Sequence, residues 1–349
     1  MKRIALLLLF AASLSGADKP TFTVGWSIYV GWNPYQYMAK SGILKKWADK
    51  YNVAIKVQRF DYAPSLEAFV AKNIDACTMT NMEALDMPAA AGVDSTAIIV
   101  GDYSNGNDAL LVRNGLTFPA LAGKQIMLVQ KTVSEYLFER GMALNGQQDQ
   151  IRKVHLVNTS DSDIVTAFTS QASNQAVVTW KPLVSQIRKT KGVTTLFDSS
   201  KIPGEILDLL VVRSEVLNRP DGAGARFAKA ITGAWYETMT QFKASSKTAL
   251  TGSAEASGDT LASYEEQLQT THLFYTPQSA ADYAASKELR DKMELVRQFC
   301  FRHQLLGVKT GSADDVAILY PDKSVQGRKD RVRLRFDTGY MQQAAQGKL

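Results

Sequence analysis

The chain has 349 residues, 45% hydrophobic and 21% charged, with 40 basic against 34 acidic side chains and a formal net charge of +6. The basic residues are scattered among the acidic ones, which excludes the clustered stripe of a nucleic-acid surface. Two distant cysteines, Cys77 and Cys300, exclude a disulfide framework and read as separate buried thiols.

Residues 1–17 read as an export signal cleaved near Ala17. Lys2 and Arg3 form the basic start, and IALLLLFAA is too short for a membrane span of about 20 apolar residues. Small residues, Ser15 and Ala17, occupy the signal-peptidase positions, and cleavage lowers the net charge from +6 to +4. No later stretch has the length and apolar content of a membrane helix. The mature chain is long enough for two lobes of ordinary domain size.

TFTVGWS predicts a short strand running into an aromatic loop, and YQYMAKSGILKKWADKY predicts helix. VAIKVQRF is a strand ending at Asp61 and Tyr62, and PSLEAFVAKN a helix with proline at its start. IDACTMT is a strand, NMEALDMPAAAG a helix closed by Gly92, and STAIIVGDYS the next strand. After NGNDALLVRNG the alternation restarts: strands at GKQIMLVQKT, VHLVNTSDSD and QAVVTW, and helices at VSEYLFERGMALNG, IVTAFTSQ and KPLVSQIRKTKG. EILDLLVVRSEVL is one long apolar strand. Beyond Pro220 the pattern predicts helices at about 223–245, 258–270 and 278–305, with SSKTALTGSAEASG as a polar linker. GRKDRVRLR at 327–335 reads as a solvated strand or loop. The strand–helix alternation places the chain in the α/β class.

In open α/β sheets, ligands bind beyond the carboxyl ends of the strands, and two facing lobes make a cleft there. The loops at those ends are rich in aromatics, amides and carboxylates. The candidate ligand-binding residues are Trp26, Trp32, Asp61, Asp102, Asp108 and Trp180, with Tyr29, Tyr62, Asn81 and Glu205 behind them. Glu83, Lys131, Lys181 and Asp208 stand on the same set of loops. For a single Asp or Asn at a strand-to-helix junction, helix capping is the competing role, and for each tryptophan it is the core. Catalytic patterns are missing: His155, His272 and His303 are dispersed, and there is no nucleophile elbow, phosphate loop or dinucleotide fingerprint.

The segments GWSIYVGWNPY, IDACTMTNMEAL, GDYSNGNDALLV, AVVTWKPLVSQI and DSSKIPGEILDLLVVR resemble the periplasmic binding proteins of nitrate, sulfonate and taurine type ABC importers. Within that family they look most similar to the branch associated with urea carboxylase, whose substrate is urea or guanidine. The resemblance implies a type II periplasmic-binding-protein fold: two α/β lobes, a hinge, a ligand cleft and C-terminal helices. It implies one lobe from 18–105 with 205–349 and a second from 106–204. It also implies a monomer in the periplasm, a small-molecule ligand and an ABC transporter permease as partner, with no cofactor, metal or catalysis. Many relatives carry an acidic residue after the tryptophan of their WEP segment, where this chain has Lys181 in TWKP.

An oxyanion asks for arginine, lysine and free helix N-termini. These loops hold many carboxylates and almost no arginine. A guanidinium suits them better, its N–H groups donating to carboxylates and its face lying on an indole. Urea comes next, and an oxyanion or an enzyme of the thiamine-pyrimidine-synthase type are the alternatives.

Overall fold

The computed structural model describes residues 19–307 and 309–349, so the expected export signal at 1–17 lies outside the described residues. Among the described residues no helix is long and apolar enough to cross a membrane. Fourteen strands run in chain order: β1 Thr21–Trp26, β2 Ala54–Arg59, β3 Ala76–Thr80, β4 Ser95–Ser104, β5 Ala109–Arg113, β6 Gln125–Leu128 and β7 His155–Asn158. They continue as β8 Ala176–Thr179, β9 Val193–Asp198, β10 Leu207–Arg213, β11 Thr271–Leu273, β12 Ala317–Leu319, β13 Val325–Gln326 and β14 Val332–Phe336.

They form two sheets. The first has the order β13-β12-β14-β4-β10-β3-β1-β2, with β11 added on β4; the second has the order β7-β6-β8-β5-β9. Strands β3, β4 and β10 lie at the centre of the first sheet, and nearly all their side chains are buried. Covering a sheet on both faces explains why these segments read as continuous apolar runs rather than alternating ones. In β5 the alternation survives: Leu110 and Val112 join the large core, whereas Ala109 and Leu111 join a small cluster with Ile164, Phe168 and Val184.

The two strands that follow the crossings, β5 and β10, are antiparallel to their neighbours, while β1–β2 and β6–β7 are parallel. Two segments cross between the sheets, residues 105–108 outward and 199–206 back. Polar side chains lace them together. Ser104 and Ser199 hydroxyls lie 2.6 Å apart, and Ser199 Oγ accepts the Gly106 N–H at 2.7 Å. The Ser199 N–H donates to the Asp108 carbonyl at 2.9 Å.

Two expected ligand residues belong to this lacing. Asn81 donates to the Glu205 carbonyl (3.1 Å) and accepts from the Leu207 N–H (3.0 Å), which uses its amide to hold the start of β10. The Glu205 carboxylate takes a two-pronged pair from Arg140 (2.8 and 3.0 Å) and a hydrogen bond from Tyr136 (2.6 Å). Both side chains find their partners within the protein and brace the crossing, and neither lines the cavity described below.

The C-terminal part differs from its sequence reading. Lys247–Ala256, expected as a linker, is a helix capped by Ser246. Segment 193–198, left unassigned after the helix KPLVSQIRKTKG in the sequence reading, is β9, and 317–336 adds three strands to the first sheet. The basic run is tied down there: Arg333 and Arg335 both pair with Asp94, at 2.7 and 3.2 Å. Helix Ala223–Lys243 packs on helix Ile43–Lys50, and helix Lys287–Arg302 on helix Asn81–Ala90. Cys77 and Cys300 are both free and buried, as expected.

Glu205→Ala should lower stability by about 1–3 kcal/mol, because it leaves Tyr136 and the partly buried Arg140 without their acceptor. Denaturant titration checks this, and the loss should be absent in an Arg140→Met/Glu205→Met pair that removes both charges.

Candidate functional site

The chain after β1 turns back over the end of the first sheet, with Gly31 at its tightest approach. A Cβ at Gly31 would run into the Asp102 carboxylate and the Tyr29 ring, so any larger residue there forces those side chains to shift. The turn places Tyr29 and Trp32 side by side, ring centroids 5.1 Å apart and edge-on. Trp32 lies 5.4 Å from Tyr62, which begins the helix after β2, and Tyr62 meets Trp180 of the second sheet edge-on at 5.6 Å. Four rings from both lobes thus form one wall.

The rings border a small cavity lined by Tyr29, Trp32, Tyr62, Thr80, Asp108, Val133, Trp180, Ile206 and Asp208. The lobes are in contact around it. Trp180 Nε1 donates to the Ile28 carbonyl at 3.0 Å, and the Tyr62 N–H reaches the Asp161 carboxylate at 3.2 Å. The Val133 N–H donates to Glu83 Oε1 at 2.9 Å. This is a closed arrangement, in which each lobe supplies part of one small chamber.

Its electrostatics are unusual. Asp102, Asp108, Asp208 and Glu83 are all buried, and no lysine or arginine lines the cavity. Tyr29 donates its hydroxyl to Asp102 at 3.0 Å and accepts from Asn107 at 3.1 Å. Asp102 and Asp208 sit directly opposite one another on β4 and β10. An oxygen of each has no partner, the expected result when two carboxyls face each other and only a shared proton can join them. Burial pushes both upward, Asp208 furthest because the Asp102 charge adds to it. Asp108 is pushed up to about 7 by burial, against the hydrogen bond from the Ser104 side. The Trp32 indole N–H is likewise buried without an acceptor.

Of the expected site residues, the structure brings Tyr29, Trp32, Tyr62, Asp108 and Trp180 to the cavity wall. Asp102 stands behind Tyr29 and touches the chamber through it. Trp26 is buried off the wall at the end of β1. Asp61 caps the backbone entry to the helix Tyr62–Val70 without a side-chain cap bond and lies at the half-buried rim near Asp161. Asn81 and Glu205 are in the crossings, as above. Asp208, Thr80, Val133 and Ile206 complete the wall without having been chosen as anchors. The signal for Asp208 was legible, since it is the one charged residue inside the apolar run ILDLLVV.

Lys181, singled out by its departure from the relatives, points elsewhere: its Nζ donates to Thr270 at 2.9 Å, and it does not line the cavity. Among the described residues one group has metal-ligand spacing, Glu135, Glu139 and His303. Each imidazole nitrogen there faces a different carboxylate, Nε2 to Glu139 at 2.9 Å and Nδ1 to Glu135 at 3.6 Å. That is the arrangement of an imidazolium between two acids, and the Glu139 hydrogen bond raises the histidine pKa accordingly.

No protein-family model and no curated protein matches the chain. Solved structures do. It is similar to the alkanesulfonate-binding protein SsuA of Xanthomonas axonopodis pv. citri, bound to MOPS, with TM-score 0.67 and 16% identity over 83% of this chain and 95% of that one. The periplasmic aliphatic sulphonate binding protein SsuA of Escherichia coli gives TM-score 0.63 and 17% identity over 82% of this chain and 94% of that one. A Candida albicans protein described as having the generic periplasmic binding protein structural fold gives 0.60 and 12% identity over 83% and 97%. At these identities the likeness is one of architecture, and the chain has the two-lobed α/β fold of the periplasmic binding proteins.

Proposed function

We propose that this chain is an extracytoplasmic solute-binding protein that encloses a small planar nitrogen cation, guanidinium foremost and urea next, and delivers it to an ABC importer. The observation that carries the reading is the chamber's uncompensated acidity: Asp108 and Asp208 on the wall, Asp102 behind it, and no basic side chain lining it. A buried carboxylate needs a partner charge or a proton. A cationic ligand supplies that charge when the lobes close.

The size agrees. The cavity between the four rings is small, which suits a solute of a few heavy atoms rather than a drug-sized ligand. The aromatic wall offers a face for a flat cation, a contact worth about 2 kcal/mol or more once desolvated. Delivery to a transporter and a periplasmic location are supported by the likeness to periplasmic binding proteins and by the export-type sequence at 1–17. The second reading is a sulfonate or related oxyanion, favoured by the named ligands of the similar solved structures. Against it stands a wall without arginine or lysine.

Calorimetric titration of the chain lacking residues 1–17 with guanidinium chloride, urea, taurine and sodium nitrate should give heat for guanidinium first. Heat from taurine or nitrate alone would sink the cation reading. Because Asp108 is pushed up to about 7, it is neutral in acid, and guanidinium affinity should fall about 30-fold from pH 8 to pH 5.5.

The same shift has a stability sign. A carboxyl whose pKa is raised by folding destabilises the fold as pH climbs from the ordinary carboxylate range to about 7, and the penalty is complete above that. Asp108→Asn should therefore raise the Tm of the ligand-free protein at pH 8 by about 2–5 °C, with a smaller rise at pH 5, while guanidinium affinity falls at least tenfold. Paired thermal melts and titrations read both effects.

A further inference from the structure

Two helices direct their N-termini at the junction of the lobes, and each receives a carboxylate from the opposite lobe. Helix Val133–Leu144 of the second lobe receives Glu83, whose Oε1 accepts the Val133 N–H at 2.9 Å. Helix Tyr62–Val70 of the first lobe receives Asp161, whose two oxygens lie 3.3 and 3.2 Å from the Tyr62 N–H. A helix N-terminus carries unpaired N–H groups and a partial positive charge, which is where an oxyanion binds. In this protein both positions already hold an anion of its own.

Glu83 is the more committed of the two. It is fully buried, and it accepts from the Tyr62 hydroxyl at 2.8 Å and from the Thr80 hydroxyl as well as from Val133. The single Val133 N–H is given to Glu83 and has no hydrogen left for a second acceptor. Tyr62 and Thr80, the residues that hold the carboxylate, and Val133, which it binds, are also cavity wall. The Glu83 contact exists only when the lobes meet.

We propose that Glu83 is a specificity-determining residue: on closure it fills the oxyanion seat at the N-terminus of helix Val133–Leu144 and so excludes nitrate- and sulfonate-type ligands. In the open form an oxyanion meeting that N-terminus touches one lobe only. Closing would bring Glu83 onto it, pressing two acceptors against the same donor, so the anion cannot be enclosed. A cation meets no such conflict, because it does not compete with Glu83 as an acceptor for the Val133 N–H. The inference deepens the reading of the cleft as a cation site and rests on the cleft being where solute is enclosed.

The test is calorimetry with sodium methanesulfonate, sodium nitrate and guanidinium chloride on three proteins: the native chain, Glu83→Ala and Glu83→Gln. Far-UV circular dichroism and a cooperative melt establish that each variant is folded. The native chain should give no heat with either anion. Glu83→Ala empties the seat and should bind at least one of the anions at least tenfold more tightly than the native chain does. Glu83→Gln keeps the volume and an acceptor for the Val133 N–H, so it should gain nothing. A folded Glu83→Ala that gains no anion binding overturns the proposal, and so does anion binding by Glu83→Gln or by the native chain. If Glu83→Ala does not fold, the native and Glu83→Gln measurements still decide. The guanidinium arm is separate: a native chain that ignores guanidinium while the anion pattern holds removes the cation reading and leaves the role of Glu83 standing.

Discussion

Buried negative charge without a protein cation to match it is the constraint around which the cleft is organised. Asp102, Asp108 and Asp208 converge on one end of the first sheet and the outward crossing, where taking a carboxylate out of water costs several kcal/mol unless it is paired or protonated. The ligand-free protein relieves the strain with protons, most directly between the opposed Asp102 and Asp208. If a cationic ligand replaces the proton, as proposed, stability and function at this site oppose one another.

The aromatic wall makes sense in the same terms. Tyr29, Trp32, Tyr62 and Trp180 exclude water from the carboxylates, which both raises their pKa values and strengthens any charge pair formed inside. Their polar atoms have fixed duties. Tyr29 holds Asp102, Tyr62 holds Glu83, and Trp180 ties the second lobe to the Ile28 carbonyl. The rings thus line the cavity on one side and position acids on the other. The lobe-to-lobe bonds run through these same residues, so closure and completion of the site are one event.

How much of this could be read without coordinates varies by residue. The alternation of strands and helices from 20 to 204 was legible because buried parallel strands carry uninterrupted apolar runs and the helices between them have caps. Tyr29, Trp32, Tyr62, Asp108 and Trp180 reach the cavity wall, and all stand just beyond strand ends, where the sequence could mark them. Asn81 and Glu205 occupy the same kind of position and yet support the crossings. Nothing local distinguishes the two roles, since the partner of Glu205 is Arg140 on a helix of the other lobe. Strands β9, β11, β12 and β13 were missed because segments of two to six residues show little period, whereas β14 falls in the run 327–335, read as a solvated strand or loop.

The sequence by itself determined the α/β class, the repetition of that pattern and the acid- and aromatic-rich chemistry of the strand ends, because these depend on residue type and local spacing. Only the tertiary structure decided which acids remain unpaired. Asp208 faces Asp102 through antiparallel register, Glu83 reaches a helix N-terminus in the opposite lobe, and Glu205 is neutralised by an arginine far away in the chain. Charge compensation acts through space over a few ångströms, so it is settled by which strands and helices come together and cannot be inferred from neighbours along the chain.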